Sequence, residues 1–382
     1  MKKQIYLLIF LVCIKFVNAQ VIYEPFNSSK LGETREVKIQ LPRGYDANPD
    51  KKYPIIMVFD GDYMFEAVSG NVDYYSYWED MPDAIVVGVN QMGSREADMY
   101  YSEQNSLPIE TGASFFEFIG MELIPHIEKT YRTEKFRVAI GHGETANFIN
   151  YYLLKGDPIF KAYIAISPDL APDMLNYIPE RLGKIETKMF YYLATSENDV
   201  ASINTGSEAL NTAISGIDNK NILYNFKKLE DPTHYSLPAY VIPDALQKIF
   251  LVYQPISKKE YRETILELES SPVVYLEEKY QTILDLFGVD KKILLNDFKA
   301  IQAAIEKTEK FEYYEDLGKL ARKQYPKTML GSYYLARFYE ETGETKKAMR
   351  TYQSAFVLEE IAGITKDLVL EKADEIKADF GY

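Results

Sequence analysis

Cysteine is nearly absent from this 382-residue chain, and the single copy, Cys13, falls in a segment with the layout of a secretory signal. Lys2 and Lys3 open that segment, an apolar run covers residues 5–12, and Val17-Asn18-Ala19 precedes Gln20, the pattern of a cleavable leader over residues 1–19. The run is short for a bilayer and Lys15 interrupts it, so a permanent anchor is the weaker reading. Val12, bulky where a lipoprotein signal wants a small residue, argues against lipidation of Cys13. A mature chain starting near Gln20 has no cysteine, which excludes disulfides, thiol nucleophiles and cysteine metal ligands. Histidine is also scarce, with three copies; no His/Asp/Glu group shows metal-ligand spacing, so neither metal nor other cofactor is expected. Cationic tracts are missing. The formal net charge is −14, and loss of Lys2, Lys3 and Lys15 makes it more negative, which argues against nucleic acid and anionic lipid as partners. The expected location is outside the inner membrane, periplasmic or extracellular, with no stable membrane anchor.

What is abundant is tyrosine, 32 copies. Tyr74, Tyr75, Tyr77 and Trp78 read as a surface loop able to stack on a ring-bearing ligand, or alternatively as a loop packed on its own domain. Residues 35–41 alternate Val37, Ile39 and Leu41 with polar residues, which predicts an antiparallel strand with one wet face. Continuous apolar runs at 53–59, 84–89, 136–140, 162–166, 189–194 and 222–226 predict strands buried on both faces. Helical periodicity separates them, as in Phe115, Ile119, Leu123 and Ile127. Strands alternating with helices predict an α/β domain with a mostly parallel sheet over residues 20–255, and chemistry at the carboxyl ends of its strands.

After Pro255 the β-branched runs stop and Lys/Glu-rich helical texture continues to the end. Residues 256–310 read as a helical connector. Residues 311–382 read as an all-α domain in which Leu335, Ala336, Tyr339, Gly343, Ala348, Tyr352 and Ala355 fall at tetratricopeptide-like spacing, with Ala321 and Pro326 one period earlier. An ordinary helical hairpin would use the same small and aromatic residues.

The candidate chemistry lies at Gly141-His142-Gly143-Glu144-Thr145, between the strand at 136–140 and the helical pattern of Phe148, Ile149, Tyr152 and Leu153. A serine hydrolase places its nucleophile on such a strand-to-helix turn, in a Gly-x-Ser-x-Gly pattern. Further landmarks are Tyr53-Pro54-Ile55-Ile56-Met57-Val58-Phe59-Asp60-Gly61, Arg95, and Glu122-Leu123-Ile124-Pro125-His126-Ile127. On these residues the chain resembles the putative-esterase (esterase D-like) family of α/β-hydrolases, which includes siderophore trilactone esterases, feruloyl esterases and formylglutathione hydrolases. The resemblance implies an α/β-hydrolase fold with position 143 as the nucleophile site, where glycine stands in place of serine. It also implies His234 as the triad histidine and an acid in the loop after the strand at 189–194, Asp199 first and Glu197 second. The oxyanion hole of this fold uses backbone N–H groups, here assigned to Glu144 and the Gly61-Asp62 turn, although the carboxylates of Glu144 and Asp62 would bring unfavourable charge. Tyr63, Arg95, Tyr74 and Trp78 complete the expected ligand pocket.

Without a hydroxyl at position 143, His234 has no proton to remove from a nucleophile, and the ordinary acyl-enzyme route is closed. The first expectation is therefore a non-catalytic hydrolase-like protein that binds a small ester, a ring-bearing ligand or a protein partner, the last through its C-terminal helices. The second is a carboxylic-ester hydrolase, acting on siderophore or acyl esters, in which His234 and Asp199 work without serine. The third is a structural or assembly subunit.

Overall fold

Tyr53–Val58 is buried at all six positions, which only a strand flanked by strands and covered on both faces achieves. The computed structural model describes residues 21–382, and the expected leader at 1–19 lies outside the described residues. Eight strands form one sheet in the order β1-β2-β4-β3-β5-β6-β7-β8. They are β1 (Ile22–Ser28), β2 (Glu33–Gln40), β3 (Tyr53–Val58), β4 (Ile85–Val89), β5 (Thr133–His142), β6 (Ala162–Ile166), β7 (Met189–Asn198) and β8 (Ile222–Thr233). The β1–β2 and β2–β4 pairings are antiparallel and the others parallel. Strand β1 has no sequence signature of its own: it lies at the sheet edge, is mostly exposed and contains Pro25, which an edge strand tolerates.

The helices of this unit are α1 (Gly61–Tyr77), α2 (Arg95–Asp98), α3 (Glu110–Glu117), α4 (Ile124–Thr130), α5 (Glu144–Phe148), α6 (Asn150–Leu153), α7 (Met174–Gly183), α8 (Ala201–Ser215) and α9 (Leu237–Ile249). The expected single helix through Phe115 and Ile127 is interrupted by a π-helical stretch, Phe118–Leu123, in which the Ile124 N–H reaches back to the carbonyl of Ile119. Pro125, which has no N–H to give to the preceding turn, lies two residues after its end. The chain divides into two compact units, one ending at Phe250 and the other Leu251–Tyr382.

The second unit is entirely helical: α10 (Lys258–Glu263), α11 (Pro272–Phe287), α12 (Leu295–Thr308), α13 (Tyr314–Gln324), α14 (Leu330–Glu341), α15 (Thr345–Ala355) and α16 (Lys366–Phe380). Ser257, Ser271 and Thr365 cap α10, α11 and α16 through their hydroxyls. Residues 256–310 are part of this body. Buried Asp297 accepts hydrogen bonds from the Tyr280 hydroxyl and the Ile256 N–H, and the Phe298 and Tyr314 rings stack on Tyr334. Among the described residues no helix is long and apolar enough to cross a membrane.

Candidate active site

Strands β7 and β8 run parallel with Asn198 beside Thr233, so the residues that follow, Asp199 and His234, leave the sheet next to one another. His234 Nδ1 lies 2.8 Å from Asp199 Oδ1. A carboxylate only accepts, so Nδ1 carries the proton and Nε2 of neutral His234 presents a lone pair. Asp199 is held from all sides: Oδ1 also accepts the Val200 N–H, and Oδ2 accepts the hydroxyls of Ser167 and Thr195. Burial pushes this carboxyl up, but the hydrogen bonds from His234, Ser167 and Val200 outweigh it and hold its pKa below the usual value. Glu197, the second candidate acid, pairs instead with Lys228.

The turn after β5 has the shape that a nucleophile needs. Gly143 has φ 63° and ψ −123°, a strained left-handed combination for any residue with a side chain. Its N–H bonds the carbonyl of Ile166. A Cβ at Gly141 would lie 2.5 Å from the Thr145 carbonyl group, so close approach of strand and helix requires glycine there. A Cβ at position 143, by contrast, would meet Arg95 Nη2 and His234 Nε2 at 3.5 Å each, ordinary contact distance. Position 143 therefore points at the free lone pair of His234, and carries no hydroxyl.

Arg95, at the start of α2, faces the same point. Its Nε donates to Asp60 Oδ1 at 2.7 Å, its Nη2 to Asp60 Oδ2 and to the carbonyl of His142, and its Nη1 to Glu144. The Glu144 carboxylate is thus engaged by a guanidinium. The Asp62 carboxylate turns to the backbone instead, accepting the N–H groups of Gln91 and Met92 at 2.6 and 2.8 Å. Both charges expected to oppose an oxyanion are accounted for by these partners. The N–H groups of Glu144, Gly61 and Asp62 stand at the first positions of α5 and α1, where no carbonyl of the same helix is available to them.

Asp60 organises this side, and sequence reasoning missed it as a site residue. It is 1% exposed, has φ 53°, and also accepts from Thr145 Oγ1 at 2.8 Å and from the Tyr63 hydroxyl at 3.1 Å. The available signal was an Asp-Gly pair directly after a fully apolar strand. Thr145 accordingly points to Asp60. His142 is the second missed residue: Nε2 donates to the carbonyl of His234, Nδ1 lies 2.9 Å from the Tyr63 hydroxyl and competes with Asp60 for its single proton, and its ring lies 4.4 Å from that of His234. Burial first, and then the neighbouring His234, push its pKa down to about 4, so it is neutral at ordinary pH and braces the His234 backbone.

Tyr63, Arg95, His142, His234 and Tyr235 line a cavity of about 440 Å³. Tyr74 and Trp78 do not belong to it. Their stretch is helical rather than a loop, ending α1, and at 1.5 Å per residue Tyr74 lies about 16 Å along the helix from Tyr63. The reason is periodic: Val68, Ser69 and Val72 are buried and keep the helix running, while Tyr74, Tyr77 and Trp78 face outward at about 60% exposure. Among the described residues no group of three or more His, Cys, Asp or Glu is placed to hold a metal ion.

Residues 28–207 match the model of the family described as Putative esterase. The chain is also 32% identical to an uncharacterised protein from Capnocytophaga ochracea of known crystal structure, over 94% of this chain and all of that one, with a TM-score of 0.86. The chain belongs to the Putative esterase family. Two further solved structures share the esterase fold at lower identity. An IroE-like serine hydrolase from Shewanella oneidensis is 20% identical with a TM-score of 0.58, over 80% of this chain and 99% of its own. The BES protein from Bacillus cereus is 18% identical with a TM-score of 0.52, over 61% of this chain and 97% of its own. No curated protein matches the chain.

Proposed function

We propose that this esterase-family chain is an exported, periplasmic or extracellular binding protein that holds a small ester or ring-bearing ligand in the cavity at His234 without cleaving it. In this reading Gly143 replaces the nucleophilic serine of the fold, and the helical unit, with its tetratricopeptide-like spacing, serves as a docking surface for a protein partner. The observation that carries the reading is the position of Gly143. A side chain there would touch His234 Nε2, yet no oxygen is present for the histidine to activate.

A second reading keeps catalysis. The His234–Asp199 pair is complete, with Nε2 free to accept a proton, and water held beside it would be the nucleophile in place of serine. The third, a purely structural subunit, requires neither cavity nor pair.

Hydrolysis of short-chain aryl esters by the native protein, Gly143→Ser and His234→Ala separates these readings. An inert native protein with His234-dependent turnover in Gly143→Ser supports the binding role. Native turnover that His234→Ala abolishes overturns it in favour of water activation. Saturable ligand binding to the inert native protein then distinguishes the binding role from the structural one.

A further inference from the structure

A larger cleft of about 730 Å³ lies in the same unit and shares no lining residue with the cavity at His234. Its floor is apolar and aromatic, from Phe116, Tyr151, Leu154 and Tyr177, and Met121 of the π-helical stretch forms a wall at 62% exposure. Phe116 is fixed in place by stacking on Tyr152 at 4.3 Å. The topology separates the cleft from the triad corner. Gly143 sits at the carboxyl end of β5, and α5 and α6 run back from it, so Leu154 and Lys155 lie about 16 Å away along that path.

The charges at the rim are unbalanced. Lys155, Arg181 and Lys184 line the cleft with Glu117 and Glu180. Glu117 is taken by Lys30, which is not part of the lining, at 2.7 Å, and Glu180 by Lys184 at 2.5 Å. Arg181 donates to the carbonyls of Leu153 and Gly156, which fixes the guanidinium without neutralising it. The Lys155 ammonium lies 4.8 Å from the Phe116 ring centre, and among the described residues it has no carboxylate within ion-pair distance. Two cations without a carboxylate therefore border an apolar floor, on a chain whose net charge is −14. The volume falls within the range of about 300–1,000 Å³ usual for small-molecule sites.

We propose that this cleft binds a fatty carboxylate, with the acyl chain on the Phe116, Tyr151, Leu154 and Tyr177 floor and the head group paired with Lys155 and Arg181. The apolar floor supplies affinity through the area removed from water. The two cations select an acid over an alcohol of the same length, because the head group meets positive charge that is not already ion-paired, Glu117 and Glu180 of the lining being engaged by Lys30 and Lys184. This site is independent of the chemistry at Gly143, and its occupant need not be a product of the esterase-like corner.

Calorimetric titration of the full chain with decanoate tests the assignment, with decanol as the uncharged probe. The expected result is saturable binding of one decanoate, at least about tenfold tighter than decanol. Lys155→Glu, an exposed position, should weaken decanoate about tenfold or more while Lys155→Arg retains it. Met121→Asp should weaken both probes, and His234→Ala should leave decanoate affinity unchanged. No saturable binding, equal affinity for decanol, indifference to both Lys155→Glu and Met121→Asp, or loss in His234→Ala would each overturn the proposal.

Discussion

On the β7–β8 side of the site, the Asp199 carboxylate accepts hydrogen bonds from four groups and hands an oriented imidazole to the cavity. On the β5 side, the backbone of Gly143 keeps φ 63°, and a Cβ there would lie 3.5 Å from Nε2 of that imidazole, but the residue has no functional group. The two sides are geometrically matched and chemically unequal. The shape of the turn is held by the backbone bond to Ile166, by the close contact of Gly141 with Thr145, and by Asp60 bridging Thr145 to Arg95. None of these needs a hydroxyl at 143, so an elbow and a nucleophile are separable properties of the fold.

The largest test of that separation is introduction of a hydroxyl at position 143. Gly143→Ser is expected to raise aryl-ester turnover by a factor on the order of 10⁵–10⁶ over the native protein, since removal of the serine from a working triad costs about a millionfold. The gain should vanish when His234→Ala is added. A serine variant as inert as the native chain would show that the two sides are not matched in solution. Next in size, Asp199→Asn introduced into Gly143→Ser should lower turnover by about 10⁴, the loss expected when the imidazole is no longer held in the Nδ1–H tautomer. A loss of tenfold or less would mean that Ser167 and Thr195 hold the acid loop for structural reasons alone.

Acid stability probes the bracing histidine. His142 has a folded pKa of about 4 against 6.5 for the free side chain, so between those values the unfolded chain binds a proton that the folded chain does not. Stability should therefore fall as pH drops from about 6.5 to about 4, by at most about 3.5 kcal/mol from this group at 1.4 kcal/mol per unit. Urea unfolding across that window should show a flatter slope in His142→Gln, and an unchanged slope would refute the assignment. The smallest effect belongs to Gly143→Ala. The site has room for a methyl group, so the cost is backbone strain alone, about 1–2 kcal/mol, read from the urea midpoint. A much larger loss would mean that Arg95 and His234 crowd position 143 too closely for any side chain.

Much of the architecture was readable locally. Unbroken apolar runs announced the parallel strands because a strand covered on both faces cannot alternate, and the run at 162–166 matches β6 residue for residue. The edge strand β1 was invisible for the complementary reason: one face lies in solvent, and its residues carry no pattern. The aromatic stretch at 74–78 was misread because helix α1 continues on the strength of buried residues upstream, while turn-like composition at its end mimics a loop. At the site, Gly143, His234 and Asp199 were legible from their places after strands. Asp60 and His142 were not, since their importance lies in partners 35 and 92 residues away.

The sequence alone determined that position 143 carries no nucleophile, that no thiol can replace it after residue 19, and that an alternating α/β region precedes a helical one. These follow from residue identity and local periodicity, which need no knowledge of distant contacts. Only the tertiary structure decided that Asp199 rather than Glu197 meets His234, that Arg95 engages Glu144, and that Tyr74 and Trp78 stand outside the cavity. Each of those is a choice among several residues of suitable chemistry, and strand register and helix phase make it by bringing only some of them within hydrogen-bonding distance.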